Sequence, residues 1–313
     1  MKKYYRLMLG KKSAHADECF TGGFIGTDFD IYQDLSNKLS DEWRKFNTEF
    51  VPVYLATHPD KTKIAAGLAC GALWTVSKGM QVGDVVLCPD GAGNYRVGEV
   101  CGDYYYAPNQ ILFHRRPVKW LNVIIERAAM SEGLRASASV PLTVVGPSAI
   151  TNYSQEIEGL LGNSATAIPV VTASGDQILD VASFAMEKHL EDFLVENWAQ
   201  TELGRDYDIY QEDGETVGQQ FPTDTGPLDI LAISKDKKRL LVVELKKGRA
   251  SDAVVGQTLR YMGYVQDELA EAGQTVQGVI IALEDDQRLK RAISMTQNIS
   301  FFRYQVSFKL MRV

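Results

Sequence analysis

Glu244 and Lys246, two residues apart at the end of the apolar run Leu240–Val243, are the residues of this sequence best suited to chemistry. Strand side chains alternate between faces, so Glu244 and Lys246 share one face while Val243 and Leu245 share the other. A carboxylate and an ammonium where a strand leaves the core are costly to desolvate. A divalent metal ion with a water nucleophile is one arrangement that compensates them. A strand emerging into a solvated Lys246-Lys247-Gly248 turn is the other, and the stretch alone supports both. Asp229 opens a second apolar strand, predicted over 226–233, and Asp236-Lys237-Lys238 reads as the hairpin turn between the two. In that hairpin Asp229, Glu244 and Lys246 converge. Gln257 and Tyr261, four residues apart, share one face of a helix predicted over 252–270. Glu187 and Glu191 lie one turn apart on another, predicted over 179–198. Each residue also has a plainer role, as a turn cap, a surface pair or a solvated helix face. Their joint occurrence in this order favours a site.

The elements that must position these residues form a pattern. From residue 178 onward the order is helix, strands, helix, strand, helix, strand, which predicts a mixed sheet covered by helices. The first part of the chain differs. It alternates short strands (4–9, 80–88, 95–100, 114–120) with two helices, one capped by Ser40 and one over 62–77. Asp90-Gly91-Ala92-Gly93-Asn94 is a strong turn between two of the strands. A strongly bent sheet with helices, a small compact barrel, is the expectation there. The small-residue stretch 162–177 reads as a linker between domains 1–161 and 178–313. The whole is a two-domain chain of mixed α and β structure.

Composition excludes little. The chain has 313 residues, 45% of them hydrophobic and 23% charged, which is ordinary for a globular protein. The longest mainly apolar run, residues 64–76, is too short to span a bilayer. No apolar signal core follows Met1-Lys2-Lys3, so a cytoplasmic protein without membrane contact is expected. The cysteines Cys19, Cys70, Cys88 and Cys101 match no zinc spacing and are expected to be reduced and largely buried. Residues 1–150 carry 17 basic against 15 acidic side chains, a net of +2, and the remainder 16 against 25, a net of −9. An acidic half repels nucleic acid in bulk, so any DNA contact must use local basic patches.

Two resemblances add to this reading. "EKHLEDFL", "GPLDIL", "VVELKKG" and "GQTLRYMGYV" together resemble NucS-type C-terminal nuclease domains of the PD-(D/E)XK superfamily, over residues 178–313. The leading Pro-Asp of that motif is Leu228-Asp229 here, with Pro227 one place earlier; the proline is no ligand, so the departure changes little. The resemblance implies a restriction-endonuclease-like mixed sheet and Mg²⁺, with Mn²⁺ substituting. Asp229, Glu244 and the Leu245 carbonyl would hold the metal, and Glu187 would be the helix acid that completes the site. Lys246 would orient or deprotonate the attacking water, and Gln257 would position water or phosphate with Tyr261 beside it.

"GMQVGDVVLCPDGAGNYRVGEVCGDYYY" followed by "HRRPVKWL" resembles PUA-like folds, in particular EVE-type domains and the N-terminal domains of Mrr-type restriction proteins. That resemblance implies nucleic-acid reading, with a modified base held in an aromatic pocket. Phe24, Asp28, Tyr104, Tyr106 and Trp120 are the candidates for the pocket; Arg115, Arg116 and Lys119 are the candidates for phosphate contacts. Together the resemblances imply a metal-dependent, modification-dependent DNA endonuclease. Cutting both strands would call for a homodimer. A NucS-like repair enzyme acting on mismatched or branched DNA, and an inactive DNA-binding protein, are the alternatives.

Overall fold

The computed structural model describes residues 2–162 and 190–305. The chain divides into two compact units, Met1–Val170 and Val171–Val313. Apart from Gly162, the expected linker at 162–177 lies outside the described residues, as does Glu187. No helix among the described residues is long and apolar enough to cross a membrane.

In the first unit the strands β1 (Tyr4–Leu7), β2 (Phe24–Thr27), β3 (Val85–Pro89), β4 (Asn94–Val100), β5 (Tyr105–Tyr106), β6 (His114–Glu126) and β7 (Val144–Val145) form one sheet. The path through it is β2-β6-β4-β3-β1-β7, with β5 also on β6. β1 runs parallel to β3, and the other pairings are antiparallel. β6 bends the sheet: its first residues pair with β2 and β5, and its later ones with β4.

Alternation sends Tyr4, Val85, Leu87, Tyr95 and Val97 to one face, beneath α4 (Glu132–Ala138) and α6 (Ser154–Leu160). Tyr5, Val86 and Cys88 go to the other face, with Cys19 of α1 (Ala16–Gly22). A four-residue helix, α5 (Pro147–Ile150), lies between α4 and α6 in the chain. The helices α2 (Trp43–Thr57) and α3 (Lys63–Trp74) build a further core from Phe46, Phe50, Tyr54, Ala66, Ala69 and Leu73. The barrel expected here is an open, curled sheet instead. Closure requires the end strands to pair, and β2 and β7, four and two residues long, are the two ends of the path. Of the cysteines, only Cys101 is exposed.

The second unit is a mixed sheet of order β11-β12-β13-β14-β15, with β8 (Tyr207–Ile209) end to end with β11 (Gln219–Phe221) along β12 (Leu228–Ser234). A two-stranded piece, β9 (Gln211–Glu212) and β10 (Glu215–Thr216), stands apart from it. β12 and β13 (Arg239–Arg249) form the antiparallel hairpin, in register from Ile230↔Val243 to Ile233↔Leu240. Its turn is closed by side chains. Ser234 Oγ donates to Asp236 Oδ1 at 2.5 Å and accepts from the Arg239 amide at 2.9 Å; Asp236 Oδ1 also accepts from the Lys238 amide, and Lys237 is left-handed (φ 60°).

β13, β14 (Thr275–Glu284) and β15 (Ile299–Arg303) are parallel, so helices must carry the chain back, as α9 (Ala253–Tyr264) and α10 (Gln287–Ser294) do. α9 covers one face of β13 and β14. The helix at 190–196 (α7), Trp198 and α8 (Leu203–Asp206) lie toward the other, where Val243 and Leu245 join Ile230, Ala232, Val279 and Ile281 in the core. With both faces covered, β13 reads as an uninterrupted apolar run until Glu244.

Candidate active site

The end of β13 sets the first two side chains. Glu244 is 1% exposed, on the face covered by α9. Lys246, two residues on and about a third exposed, donates from Nζ to Glu244 Oε1 at 2.8 Å. A buried carboxylate is unfavourable by several kcal/mol unless a counter-charge with good geometry offsets it, and the ammonium reaches in from the solvent side to do so. The adjacent strand supplies the next acid. Asp229 Oδ2 accepts the backbone amide of Leu245 at 2.7 Å, so its carboxylate takes a main-chain donor just beyond the last registered pair of the hairpin.

α9 completes the face. The Tyr261 hydroxyl donates to the carbonyl of Pro227 at 3.0 Å and pins the turn that leads into Asp229. Burial raises the pKa of Tyr261. Glu244 and Asp229 push it the same way, while Lys246 and a hydrogen bond with Gln257 oppose. Asp229, Glu244, Lys246 and Gln257 thus each lie near enough to Tyr261 to act on its hydroxyl. Where β13 ends, a cavity of about 360 Å³ opens beside Lys246 and Gln257, lined also by Arg249, Ala250, Ser251, Ala253, Val254 and Arg260.

Glu187 lies outside the described residues, but Glu191, one turn later, is 4% exposed. Gln219 Nε2 donates to Glu191 Oε1 at 2.7 Å, and Gln220 Nε2 donates to Oε2 and lies 3.5 Å from Asp229 Oδ1. Gln220 is left-handed (φ 48°), a conformation that is uncommon outside glycine and asparagine. A signal for Glu191 is present in the sequence: it stands seven residues after Phe184 and seven before Trp198, an acid inside the apolar stripe of the helix predicted over 179–198. Gln219 and Gln220 carried none.

Two carboxylates on neighbouring strands, with main-chain oxygen and water completing the shell, suit Mg²⁺, which takes few protein carboxylates and keeps several waters. Among the described residues no three His, Cys, Asp or Glu side chains gather as a metal cluster. A divalent ion at this place would have Asp229 and Glu244 as its carboxylates, beside the main chain of Leu245.

The expected reader residues of the first unit do not converge. Arg115 and Arg116 are 6% and 4% exposed rather than solvated. Arg115 donates to the Ile111 and Leu112 carbonyls and to Gln110 Oε1, with its guanidinium carbon 3.8 Å from the ring centre of buried Phe24. Arg116 donates to the Gly102 and Met80 carbonyls. Irregular segments bring carbonyls into the interior that need donors, and these guanidiniums supply them, so neither is a phosphate contact. Lys119 is exposed.

Trp120 packs edge-on against Phe20 and donates to the Cys19 carbonyl at 3.0 Å, which makes it an anchor for α1. The Asp28 carboxylate accepts from the Phe29 amide. Tyr104 and Tyr106 lie against the ring of His114, whose imidazole is buried between the Tyr104 hydroxyl (2.9 Å) and the Ile31 carbonyl (2.8 Å). Of the eight residues, Tyr104 and Arg116 line a common cavity of about 400 Å³, with Ser36, Leu39, Asp41, Ser77, Lys78, Gln81 and Asp103.

Known proteins resemble the two parts of the chain separately. Residues 187–307 match the family described as "Endonuclease NucS C-terminal domain". Every described member of the site falls within that span. Residues 5–138 match a domain of unknown function, DUF8426. No curated protein matches the chain. Among solved structures, a repair endonuclease from Pyrococcus abyssi matches at 16% identity and TM-score 0.30, over 69% of this chain and 66% of that one. EndoMS in apo form matches at 22% and 0.30, over 39% and 47%. The MspJI restriction endonuclease in complex with a 27-mer oligonucleotide matches at 11% and 0.26, over 78% and 60%. The chain thus spans from about half to two thirds of the length of these solved chains.

Proposed function

We propose that this protein is a metal-dependent DNA endonuclease that hydrolyses phosphodiester bonds in its second unit and selects DNA with its first. One observation carries the reading: Lys246 is hydrogen-bonded to buried Glu244 on the strand next to Asp229, inside the segment that matches a NucS nuclease domain. Mg²⁺ held by Asp229, Glu244 and the Leu245 carbonyl would supply charge stabilisation at the phosphate and lower the pKa of a bound water. Lys246 would hold that water by a hydrogen bond and balance the accumulating negative charge. The Gln257 amide offers a donor to a phosphoryl oxygen or to the water. Tyr261, through Pro227, keeps Asp229 in place.

For the first unit, the reading is selection of DNA that carries a modified base, as in Mrr-like restriction, with the cavity at Tyr104 as the receiving site. Cleavage of both strands by one kind of site calls for two copies of the chain. A repair role on mismatched or branched DNA is the second reading, the one implied by the resemblance of the C-terminal motifs to NucS-type domains. The test is cleavage in Mg²⁺ of plasmid with and without cytosine modification, and of duplex with and without a mismatch, by wild type and Glu244→Gln. Preferential cutting of modified plasmid supports the first reading, and preferential cutting at mismatches supports the second. Absence of cutting by folded protein, or cutting that survives Glu244→Gln, sinks the nuclease assignment.

A further inference from the structure

The second part of the chain, residues 151–313, has a net charge of −9, yet three cations, Lys246, Arg249 and Arg260, surround the groove at the end of β13. Its walls are otherwise small or polar: Ala250, Ser251, Ala253 and Gln257. Arg249 pairs with Glu284 at 3.2 Å, but both side chains are more than half exposed, so the pair is weak and readily exchanged for another anion. Arg260 is exposed and makes no ion pair or hydrogen bond to any described residue.

A second observation comes from the helix itself. Gly256 lies on the exposed edge of α9, three residues after Ala253 and four before Arg260, both of which line the groove. Glycine in mid-helix is less stable than alanine, and the protein's own packing does not call for it: a Cβ there would meet nothing within 4 Å. The same is true of Gly248, between Lys246 and Arg249 on β13. Open backbone at these two glycines, beside a cationic groove, leaves room for a ligand to come close.

We propose that this groove seats the phosphodiester backbone of the DNA strand being cut. Arg249 and Arg260 pair with phosphates flanking the scissile one, and Gly256 leaves the clearance for the strand to lie against α9. The proposal rests on the nuclease reading, because it takes its direction from the Glu244–Lys246 pair at the head of the groove. Guanidinium groups suit the task, since their planar fork matches phosphate oxygens in pairs.

The test is binding of a fluorescein-labelled DNA duplex to full-length Glu244→Gln protein, followed by anisotropy over a range of salt, beside cleavage by the corresponding variants of the wild-type chain. Arg249→Ala and Arg260→Ala should each weaken binding about tenfold and flatten the dependence of log affinity on log salt by about one. Arg260→Lys should recover part of the loss. Gly256→Ala should raise the melting temperature and still weaken binding, and Gly256→Gln should weaken it further. If the arginine and glycine variants of an active enzyme bind and cut as wild type does, the groove is not the seat and the nuclease reading stands. If wild type cuts no DNA but Arg260→Ala still loses salt-dependent binding, the seat stands and the nuclease reading falls.

Discussion

Gln220 joins Glu191 to Asp229, and that link makes Glu191 testable. A residue that orients a metal ligand from behind usually changes affinity for the metal or activity by about ten- to a hundredfold when removed. Glu191→Ala should therefore slow cleavage by roughly that factor and shift the Mg²⁺ titration to higher concentration. Gln220→Ala should do the same, and the double variant should be no worse than either single one, because both act through one link. Additive losses in the Mg²⁺ titration would show that they act separately.

His114 offers a residue-level prediction in the other unit. Burial pushes its pKa down to about 4, and the Ile31 carbonyl fixes the neutral tautomer with the proton on Nε2. An unfolded imidazole titrates near 6.5. Between those values the unfolded chain binds a proton that the native one does not. Stability should thus fall as pH is lowered from about 6.5 toward 4, by up to about 3 kcal/mol, and level off below. Urea unfolding across that range should show the slope in wild type and not in His114→Gln.

At the scale of elements, legibility followed chemistry that repeats. The hairpin, α9 and the parallel strands were readable because apolar runs and helical spacing are local properties, and β13 declares both its burial and its polar end within nine residues, Leu240–Gly248. β6 was misread for a physical reason. Its opening His114-Arg115-Arg116 looks like a solvated basic edge, but it is paired on both sides, and its charges meet carbonyls of distant loops at Met80 and Gly102 that no pattern around β6 announces. The consequence is measurable. Arg116→Met should lower the stability of the first unit by about 3 kcal/mol, the usual loss when buried donors are withdrawn from buried acceptors, while leaving the salt dependence of DNA binding unchanged. Close approach between elements was equally silent. A Cβ at Gly218 would lie 2.2 Å from the Leu231 carbonyl oxygen, where β12 passes. Gly218→Ala should destabilise the second unit by about 3 kcal/mol in urea unfolding.

At the scale of the molecule, two units each own a core, and on the proposed function one copy of the chain brings one active site to one strand at a time. Cutting of supercoiled plasmid should therefore pass through a nicked intermediate, whose lifetime shortens as protein concentration rises and a second copy arrives. A lifetime independent of concentration would mean that one copy serves both strands. The turn at Ser234–Arg239 bears on the same site from its far end. Because β13 is apolar on both faces, hydrophobic alternation does not choose its pairing with β12; the turn, about 17 Å up the strand from Glu244, does. The site is therefore sensitive to chain length as well as to residue type. One residue inserted between Asp236 and Arg239 would leave every active-site side chain unaltered and send Glu244 and Lys246 through to the opposite face of the sheet, while two would bring them back to the same face one step out of line.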